Sequence, residues 1–375
     1  MKIDRLDLWV VNVPYTRSFV SSFEVRRGTT RTVVRLGADN GAVGWGETMH
    51  GAPTAALTRK LFEDYRGSSP FDLERMAHRL KMVPFFYGYI GYAALAGLEM
   101  ACHDLIGRVT HQPIRNLIGG AARTRTPLTY VATPDETSSS ATAAGDRLVE
   151  DVRAAIAQFG FTAVKLKGST DPRRDVQLLR RLRSAFPQVA LRVDPNGHWS
   201  VPETVRLASA WEELDLEYLE DPCWDLEQMA QVRRRVRTPL CTNMCVVRFE
   251  DVAPALRLDA IDIVHGDIFK WGGFGPTRRL AAICDAHGWG MNLHSGGELG
   301  LATAAHLHVT SALPQLRYAI DTVYHLFEED ILDSPLPIVD GSLSVPDGAG
   351  LGVEPSIEQL DRFQRCNERE GDLLL

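Results

Sequence analysis

The sequence predicts an α/β protein whose larger part is a (β/α) barrel. Strand-like apolar runs end in a polar residue at seven places, spaced 23 to 27 residues apart. That spacing is about the length of one strand, one loop and one helix together, and helix-length segments lie between the runs. Polar residues at the carboxyl ends of successive parallel strands are where such a barrel builds its active site. The seven residues are Lys167, Asp194, Glu220, Asn243, Asp267, His294 and Asp321.

The length and composition fit a barrel together with a second domain. The chain has 375 residues, of which 45% are hydrophobic and 24% are charged, values that are ordinary for a globular protein. Its formal net charge of −7 disfavours a nucleic acid or an anionic membrane as a partner, because proteins that bind either are usually basic. No apolar run has the length of a signal peptide or a membrane span. The six cysteines show no CxxC spacing, so we expect reduced thiols in a cytoplasmic protein.

The first domain, residues 1–125, is predicted to be α+β. Residues 2–50 show strand-like patterns, with a hairpin around Asp39-Asn40-Gly41. Gly41, Gly44 and Gly46 crowd together, but no helix start follows them, which disfavours a dinucleotide-binding loop.

Helices are predicted for residues 54–118 of the same domain. The longest is an apolar-faced helix from Tyr92 to Arg108. Its Glu99 and Asp104 are candidate site residues. We favour the alternative interpretation, in which they are satisfied polar residues at a domain interface.

Residues 126–335 are predicted to form the barrel, with 126–132 as its first strand. The stretch 137–144 is rich in Ser, Thr and Ala and predicts a mobile loop, and helices and strands then alternate from 146 to 325. The remaining segment, 336–375, offers no further βα unit. We therefore expect it to fold back on the N-terminal domain.

Asp194, Glu220 and Asn243 offer three oxygen ligands from neighbouring strand ends. Hard oxygen ligands without His or Cys suit Mg²⁺ or Mn²⁺ better than Zn²⁺. Mg²⁺ usually keeps open positions, which a substrate carboxylate could fill. Asn243 alone is equally well explained as a structural residue. Its spacing from the two carboxylates, which matches the βα repeat, favours a role as a metal ligand. Cys241 and Cys245 flank it, and we interpret them as small packing residues.

Lys165 and Lys167 alternate about Leu166 at the end of a buried-type strand, so both amines should point into the barrel mouth. Two ammonium groups about 4 Å apart repel by about 4 kcal/mol at an effective dielectric constant of 20. This repulsion lowers the pKa of one lysine, which could then act as a base near neutral pH. The nearby acidic residues oppose the shift, so only its direction is predicted.

Asp267 and His294 end the sixth and seventh predicted barrel strands. A carboxylate beside an imidazole fixes its tautomer and supports its charged form. His294 is therefore a second candidate acid/base, on a different strand from Lys167. A carbon acid held between the two groups could lose a proton to one of them, and then regain a proton or lose hydroxide at the other.

Six segments together resemble the enolase superfamily, and within it the glucarate dehydratase group. They are Val164-Lys165-Leu166-Lys167-Gly168, Val193-Asp194-Pro195-Asn196-Gly197-His198-Trp199-Ser200, Glu220-Asp221-Pro222-Cys223, Thr242-Asn243-Met244, His294-Ser295 and Ala319-Ile320-Asp321-Thr322. The asparagine at the third ligand position is similar to that group in particular. The resemblance implies a capping domain, completed by the C-terminal segment, and a modified TIM barrel that binds Mg²⁺, the architecture of mandelate racemase and muconate lactonizing enzyme.

The resemblance also implies roles for individual residues. Lys167 would be one base and Lys165 its electrostatic helper. His294, paired with Asp267, would be the second acid/base. Two further residues, Asn196 and Asp321, would be supporting polar residues near the substrate.

These observations predict an Mg²⁺- or Mn²⁺-dependent dehydratase of an acid sugar, a carbon–oxygen lyase of carbohydrate catabolism. Its partners would be a small acid-sugar substrate and, by the resemblance, further copies of the same chain. An epimerase, racemase or cycloisomerase that uses the same two bases is the first alternative. A non-catalytic paralogue that binds metal or acid is the alternative from another class. Such a paralogue would lack one of the bases or metal ligands, whereas this sequence contains all of them.

Overall fold

A computed structural model describes residues 1–79, 82–134 and 141–373 of the chain. The strands are β1 (Ile3–Val20), β2 (Val25–Ala38), β3 (Val43–Met49), β4 (Arg125–Ala132), β5 (Ala163–Lys167), β6 (Ala190–Asp194), β7 (Tyr218–Glu220), β8 (Leu240–Thr242), β9 (Ile263–His265), β10 (Gly290–Asn292), β11 (Ile320–Thr322) and β12 (Ser342–Ser344). The helices are α1 (Ala52–Tyr65), α2 (Leu73–Arg79), α3 (Val83–Thr110), α4 (Ile114–Leu117), α5 (Ala141–Phe159), α6 (Pro172–Ala185), α7 (Val201–Arg206), α8 (Ala208–Glu213), α9 (Leu226–Arg233), α10 (Phe249–Leu258), α11 (Ile268–Trp271), α12 (Phe274–His287), α13 (Gly300–Ala312) and α14 (Ile357–Glu370).

The first three strands form an antiparallel sheet. The predicted hairpin joins β2 to β3, and Gly41 turns the chain with a φ of +83°, which glycine adopts without strain. Gly44 lies so close to α3 that a Cβ atom there would collide with the backbone oxygen of Ala101. Gly46 meets the backbone of Gly97 in the same way. The clustered glycines therefore allow β3 to pack closely against α3.

Eight parallel strands form the second sheet, in the order β10, β9, β8, β7, β6, β5, β4, β11. Its two edge strands also meet, because the N–H of Asp321 donates to the carbonyl of Leu293 at 3.1 Å and Met291 bridges to Leu316. Alternating helices cover the outside of this closed sheet. The predicted fold class, a modified TIM barrel with an α+β capping domain, is confirmed.

The predicted strand ends agree with the structure at Lys167, Asp194 and Glu220, whereas Asp267 and His294 lie two residues beyond the ends of β9 and β10. Asp194 and Glu220 are the final residues of β6 and β7, and Asn243 follows β8 directly. Asp321 was expected to end its strand, but it lies inside β11, which pairs with β4 as far as Thr322. Its side chain is therefore held within the barrel, below the other polar residues.

Two predicted boundaries differ from those of the structure. The long capping helix α3 begins at Val83 instead of Tyr92, and its turns are interrupted at Gly88, where φ is +54° and ψ is −132°. In the predicted mobile loop, residues 137–140 lie outside the described residues, and α5 already begins at Ala141. The Ala-rich part of that stretch is thus helical, as the propensity of alanine favours.

The helices that follow β5, β6 and β7 begin at side-chain caps encoded in the sequence. Asp171 accepts the N–H of Arg173 at the start of α6, and Ser200 forms a capping box with Glu203 at the start of α7. Asp225 accepts the N–H of Gln228 at the start of α9. Such caps satisfy the first backbone donors of each helix and fix where the preceding loop ends.

The C-terminal segment contacts both parts of the molecule. β12 pairs antiparallel with β4 of the barrel. α14 lies against β1, where the indole of Trp9 donates to Asp361 at 2.9 Å and Asn367 donates to Asn12 at 3.0 Å. The predicted return to the N-terminal domain therefore applies to the last helix, whereas the strand joins the barrel.

Two buried carboxylates of the capping domain are bound by the starts of barrel helices. Glu47 on β3 accepts the N–H groups of Leu299 and Ala302 near the start of α13, both at 2.9 Å. Glu99 on α3 accepts the N–H groups of Phe274 and Gly275 at the start of α12, at 2.9 and 3.0 Å. A carboxylate at a helix N-terminus satisfies free N–H groups and meets the positive end of the helix dipole. These contacts fix the cap over the barrel, which agrees with our interpretation of Glu99 as an interface residue.

Across the described ranges, no helix combines the length and the apolar character that crossing a membrane would require.

Candidate active site

A group of buried carboxylates lies at the carboxyl ends of neighbouring barrel strands. Each of Asp194, Glu220 and Asp221 places a carboxylate oxygen within 4.8 Å of the others. β6 and β7 are hydrogen-bonded neighbours in the sheet, which brings their last residues together. Carboxylates this close and this buried repel one another unless positive charge is supplied.

Asn243 joins this group through Glu220 and Asp221. Its side-chain amide donates to Oε1 of Glu220 at 2.8 Å, and its backbone N–H donates to Oδ2 of Asp221 at 2.8 Å. The structure therefore brings the three predicted metal ligands, Asp194, Glu220 and Asn243, to one place.

Asp221 was present in the quoted motif but received no role in our sequence interpretation. Burial, together with the nearby charges of Glu220 and Asp194, raises its pKa to about 7. Its backbone has a φ of +36°, which is unusual for a residue with a Cβ atom. It also accepts hydrogen bonds from Thr242 and Met244. We assign Asp221 a positioning role, because it holds the loop that carries Asn243.

The donor set fits a hard divalent cation. It consists of carboxylate and amide oxygens, which Mg²⁺ prefers in proteins. Burial alone would raise the pKa of Glu220, but the charges of Lys165 and His265 outweigh it and hold that pKa well below its usual range. Glu220 is thus ionised and ready to serve as a ligand. Asp194 and Asn243 would be the other two ligands.

Lys165 is surrounded by carboxylates. Its Nζ atom lies 3.0 Å from Oε2 of Glu220 and 3.6 Å from Oδ2 of Asp194, and it also pairs with Asp321. Burial would lower its pKa, but these three carboxylates, Asp321 foremost, raise that pKa well above its usual value. Of the two lysines, Lys165 is therefore not the one for which a lowered pKa was predicted, and it keeps its charge, as its expected role of electrostatic helper requires. The reason is that the acidic residues outnumber the second ammonium group.

Lys167 also points into the site, as predicted, but nearer to its opening. Its Nζ atom donates to Oδ2 of Asp194 at 2.6 Å and to Oδ1 of Asn196 at 3.2 Å. It is 6% exposed, against 1% for Lys165. Of the two lysines, Lys167 is therefore the one that a substrate can reach.

Asn196 connects the lysine to the carboxylates. Its backbone N–H donates to Oδ1 of Asp194 at 2.9 Å, and its side-chain amide nitrogen lies 3.2 Å from Oδ2 of the same residue. A left-handed φ of +52° makes these contacts possible, and asparagine tolerates that conformation better than most residues. Asn196 therefore lies within the site, as the resemblance implied.

His294 and Asp267 form the expected pair. Nδ1 of His294 lies 3.2 Å from Oδ2 of Asp267, and the backbone N–H of His294 donates to Oδ1 at 2.6 Å. The ammonium group of Lys270 lies 3.2 Å from the same carboxylate. Burial would raise the pKa of Asp267, but Lys270 and His294 hold it well below its usual range. An ionised carboxylate on Nδ1 leaves Nε2 of His294 for proton transfer.

Asp321 supports the site from below. It pairs with Lys165, and its other oxygen lies 3.3 Å from the guanidinium of Arg192, which is fully buried. It thus anchors Lys165 and is not at the rim. His265 is a further residue that the sequence interpretation missed, with Nε2 3.2 Å from Oε2 of Glu220. The signal was its place at the end of β9, two residues before Asp267.

The order of the strands separates the two candidate bases. Lys167 ends β5 and His294 follows β10, while the carboxylates and Asn243 come from β6, β7 and β8 between them. A carboxylic acid bound at the carboxylate group would therefore have an amine on one flank and an imidazole on the other. Such an arrangement can move protons at the carbon next to a carboxylate. A capped (β/α) barrel with this rim is the architecture of enolase-type enzymes.

Comparison with known protein families identifies the family of this chain. Residues 5–119 match the family described as mandelate racemase / muconate lactonizing enzyme, N-terminal domain, and residues 147–360 match the family described as enolase C-terminal domain-like. The chain belongs to the enolase superfamily.

Named relatives carry out different reactions. A probable glucarate dehydratase of Streptomyces coelicolor is 32% identical over 90% of this chain and 85% of its own length. A chloromuconate cycloisomerase of Cupriavidus pinatubonensis is 29% identical over 74% of each chain. Family membership thus fixes the fold, and leaves the reaction to be argued from the site.

Solved structures agree with the fold. An enolase from Streptomyces coelicolor is 53% identical, with a TM-score of 0.98 over 100% of both chains. An enolase from Pseudomonas fluorescens, solved with bound magnesium, potassium and tartrate, is 28% identical, with a TM-score of 0.90 over 99% of this chain and 93% of that one.

Proposed function

We propose that this protein is an Mg²⁺-dependent dehydratase of an acid sugar. One observation carries the proposal: the carboxylates of Asp194 and Glu220 stand between two separate proton-transfer groups, Lys167 and the His294–Asp267 pair. The similarity to a probable glucarate dehydratase supports the same reaction class.

A divalent cation bound by Asp194, Glu220 and Asn243 would stabilise the negative charge that develops on the substrate carboxylate. Lys167 removes the proton from the carbon next to that carboxylate, because its amine is the reachable base on that flank. His294, oriented by Asp267, donates its Nε2 proton to the hydroxyl on the next carbon. The C–H and C–O bonds break, water leaves, and the resulting enol becomes a 2-keto-3-deoxy acid.

Lys165 and Asp321 take no proton in this scheme. Their ion pair keeps a fixed positive charge beside Glu220 and beneath the substrate carboxylate. Such preorganised charge is worth more in a buried site than in water, because it need not reorient during the reaction.

An epimerase or racemase is the second candidate, and the same observation supports it. Two bases on separate strands can remove a proton on one face and return one on the other, with no leaving group. Relatives named as racemases and cycloisomerases are consistent with this alternative. A non-catalytic relative is disfavoured, because every predicted base and ligand reaches the site.

The decisive experiment incubates the purified protein with Mg²⁺ and a panel of aldonates and aldarates in D₂O. Formation of a 2-keto acid with loss of water supports the dehydratase. Deuterium incorporation with inversion and no keto acid would instead establish the epimerase or racemase. Neither outcome with any acid sugar, despite confirmed Mg²⁺ binding, would reject acid sugars as the substrate class.

A further inference from the structure

A large cleft opens beside the candidate site, between the capping domain and the barrel. It has a volume of about 720 Å³, within the range of pockets that hold drug-sized ligands. Its capping wall is the first turns of α3, and its barrel wall is formed by the loops after β7 and β8. Such a volume is more than a single short acid needs.

The cleft reaches the Lys167 side of the site. Met244 lines it, and the thioether of Met244 lies 3.8 Å from the amide nitrogen of Asn196, which in turn contacts Lys167. Tyr89 lines it from the cap. A ligand in the cleft would thus be continuous with a substrate held beside Lys167.

The walls present aromatic faces to solvent. Phe85 is 76% exposed and Trp224 is 62% exposed, and Tyr89 and Tyr92 line the same cleft. Exposed aromatic side chains that converge on one concave surface mark a binding site more often than a plain surface.

The charges of the cleft favour a neutral group over a second carboxylate. Among the described residues that line it, Asp225, Glu227, Glu250 and Asp251 are acidic and only Arg248 is basic. Arg248 is already bonded to Asp251 at 3.1 Å. A like charge on the ligand would be repelled, so the part of a substrate that enters here carries no negative charge.

The arrangement of these groups suits a sugar ring. Asp225 is occupied in capping α9, whereas the exposed Glu227 and Glu250 accept no hydrogen bond from the described part of the chain. They can accept bonds from hydroxyl groups at the rim, while the aromatic walls pack against the C–H face of the ring. Because both carboxylates are exposed, solvent weakens their effect on a charged ligand of either sign, and hydrogen bonding to hydroxyl groups is the contact they offer most readily.

We propose that this cleft binds a neutral glycosyl group attached to the far end of the substrate, which is then a glycosylated aldonic acid and not a free dicarboxylic sugar. This inference rests on the proposed function, because it places the acid end of the molecule between Lys167 and His294. The glycosyl group takes no part in the bond breaking.

The test compares cellobionate, a glucosyl-gluconate, with gluconate and glucarate in the presence of Mg²⁺. Isothermal titration calorimetry measures binding, and keto-acid formation measures turnover. We expect cellobionate to bind at least about tenfold more tightly than gluconate, since one well-packed aromatic contact is worth about that factor. Trp224→Ala and Phe85→Ala should each remove most of this preference. Phe71→Ala, an exposed aromatic residue of the same domain outside the cleft, should preserve it.

Cellobionate that binds no better than gluconate, or a preference that survives both cleft substitutions, would overturn the inference. The proposed function has a separate failure mode. Turnover of gluconate or glucarate with no preference for cellobionate would reject only the cleft assignment. A third outcome is tight binding of cellobionate that depends on Trp224, with no keto acid formed from any of the three acids. That result would support the cleft assignment and count against the dehydratase.

Discussion

Nζ of Lys167 donates to Oδ2 of Asp194 at 2.6 Å, so the candidate base and a candidate metal ligand share one contact. A bound cation would compete with the ammonium group for that oxygen. Loading the metal site and freeing the amine of the candidate base would therefore be coupled through Asp194.

Substitution of either proton-transfer group should abolish turnover while the metal site persists. Lys167→Ala removes the amine next to Asp194, and His294→Asn removes the imidazole held by Asp267. We expect keto-acid formation to fall by about 100-fold or more in each variant, the usual contribution of a general acid or base. Mn²⁺ binding, followed by electron paramagnetic resonance, should persist in both. Near-native turnover in either variant would contradict the assigned role.

Loss of the metal site should abolish metal binding as well as turnover, unlike loss of a proton-transfer group. Chelation should abolish turnover, and added Mg²⁺ should restore it. Glu220→Gln and Asp194→Asn should weaken Mn²⁺ binding at least about tenfold, because each removes a charged oxygen ligand. Glu212→Gln, an exposed carboxylate of α8, is the matched control and should bind Mn²⁺ as the parent protein does. Unchanged affinity in both ligand variants would place the metal elsewhere.

The polar residues near the strand ends could be predicted from sequence, because their positions repeat with the length of one βα unit. Each βα unit places one residue at the rim, so Asp194, Glu220 and His294 were recognisable from spacing alone. Asp321 departed from this rule because β11 continues one residue beyond it. Strand boundaries depend on pairing with the neighbouring strand, which the period does not specify.

Residues that act through loops could not be found in this way. Asp221 holds the Asn243 loop by a left-handed backbone and three hydrogen bonds, none of which leaves a periodic signal. The aromatic cleft combines Tyr89 of the cap with Trp224 of a barrel loop, 135 positions apart in the numbering. Their proximity depends on how the cap sits over the barrel, and that is fixed by tertiary contacts such as the one made by Glu99.

That docking contact predicts a measurable stability effect. Glu99→Gln removes the charge that accepts the N–H groups of Phe274 and Gly275 inside a buried interface. We expect a loss of about 1–3 kcal/mol in the free energy of unfolding, the usual cost of impairing a buried charged hydrogen bond. Guanidinium unfolding measures it. Glu74→Gln breaks an exposed contact with Arg279 and should change stability by less than about 0.5 kcal/mol. Equal effects of the two substitutions would argue against the anchoring role.

A buried histidine should make the junction between α13 and the C-terminal segment sensitive to acid. His308 is fully buried, accepts the N–H of Arg115 at Nδ1 and contacts the carbonyl of Leu351 through Nε2, so both nitrogens are used by the neutral ring. Burial lowers its pKa from 6.5 to about 4. The unfolded chain therefore binds a proton more readily, and stability falls as the pH drops below 6.5 and levels off near 4.

For one histidine with this shift, the free energy of unfolding should fall by about 1.4 kcal/mol between pH 8 and pH 5.5. His308→Gln keeps one acceptor and one donor without a titrating group, so this variant should lose that part of the pH dependence. His287→Gln, at the exposed end of α12, is the control and should keep it. Denaturant titrations at the two pH values measure the difference, and an equal pH dependence in all three proteins would show that folding does not lower the pKa of His308.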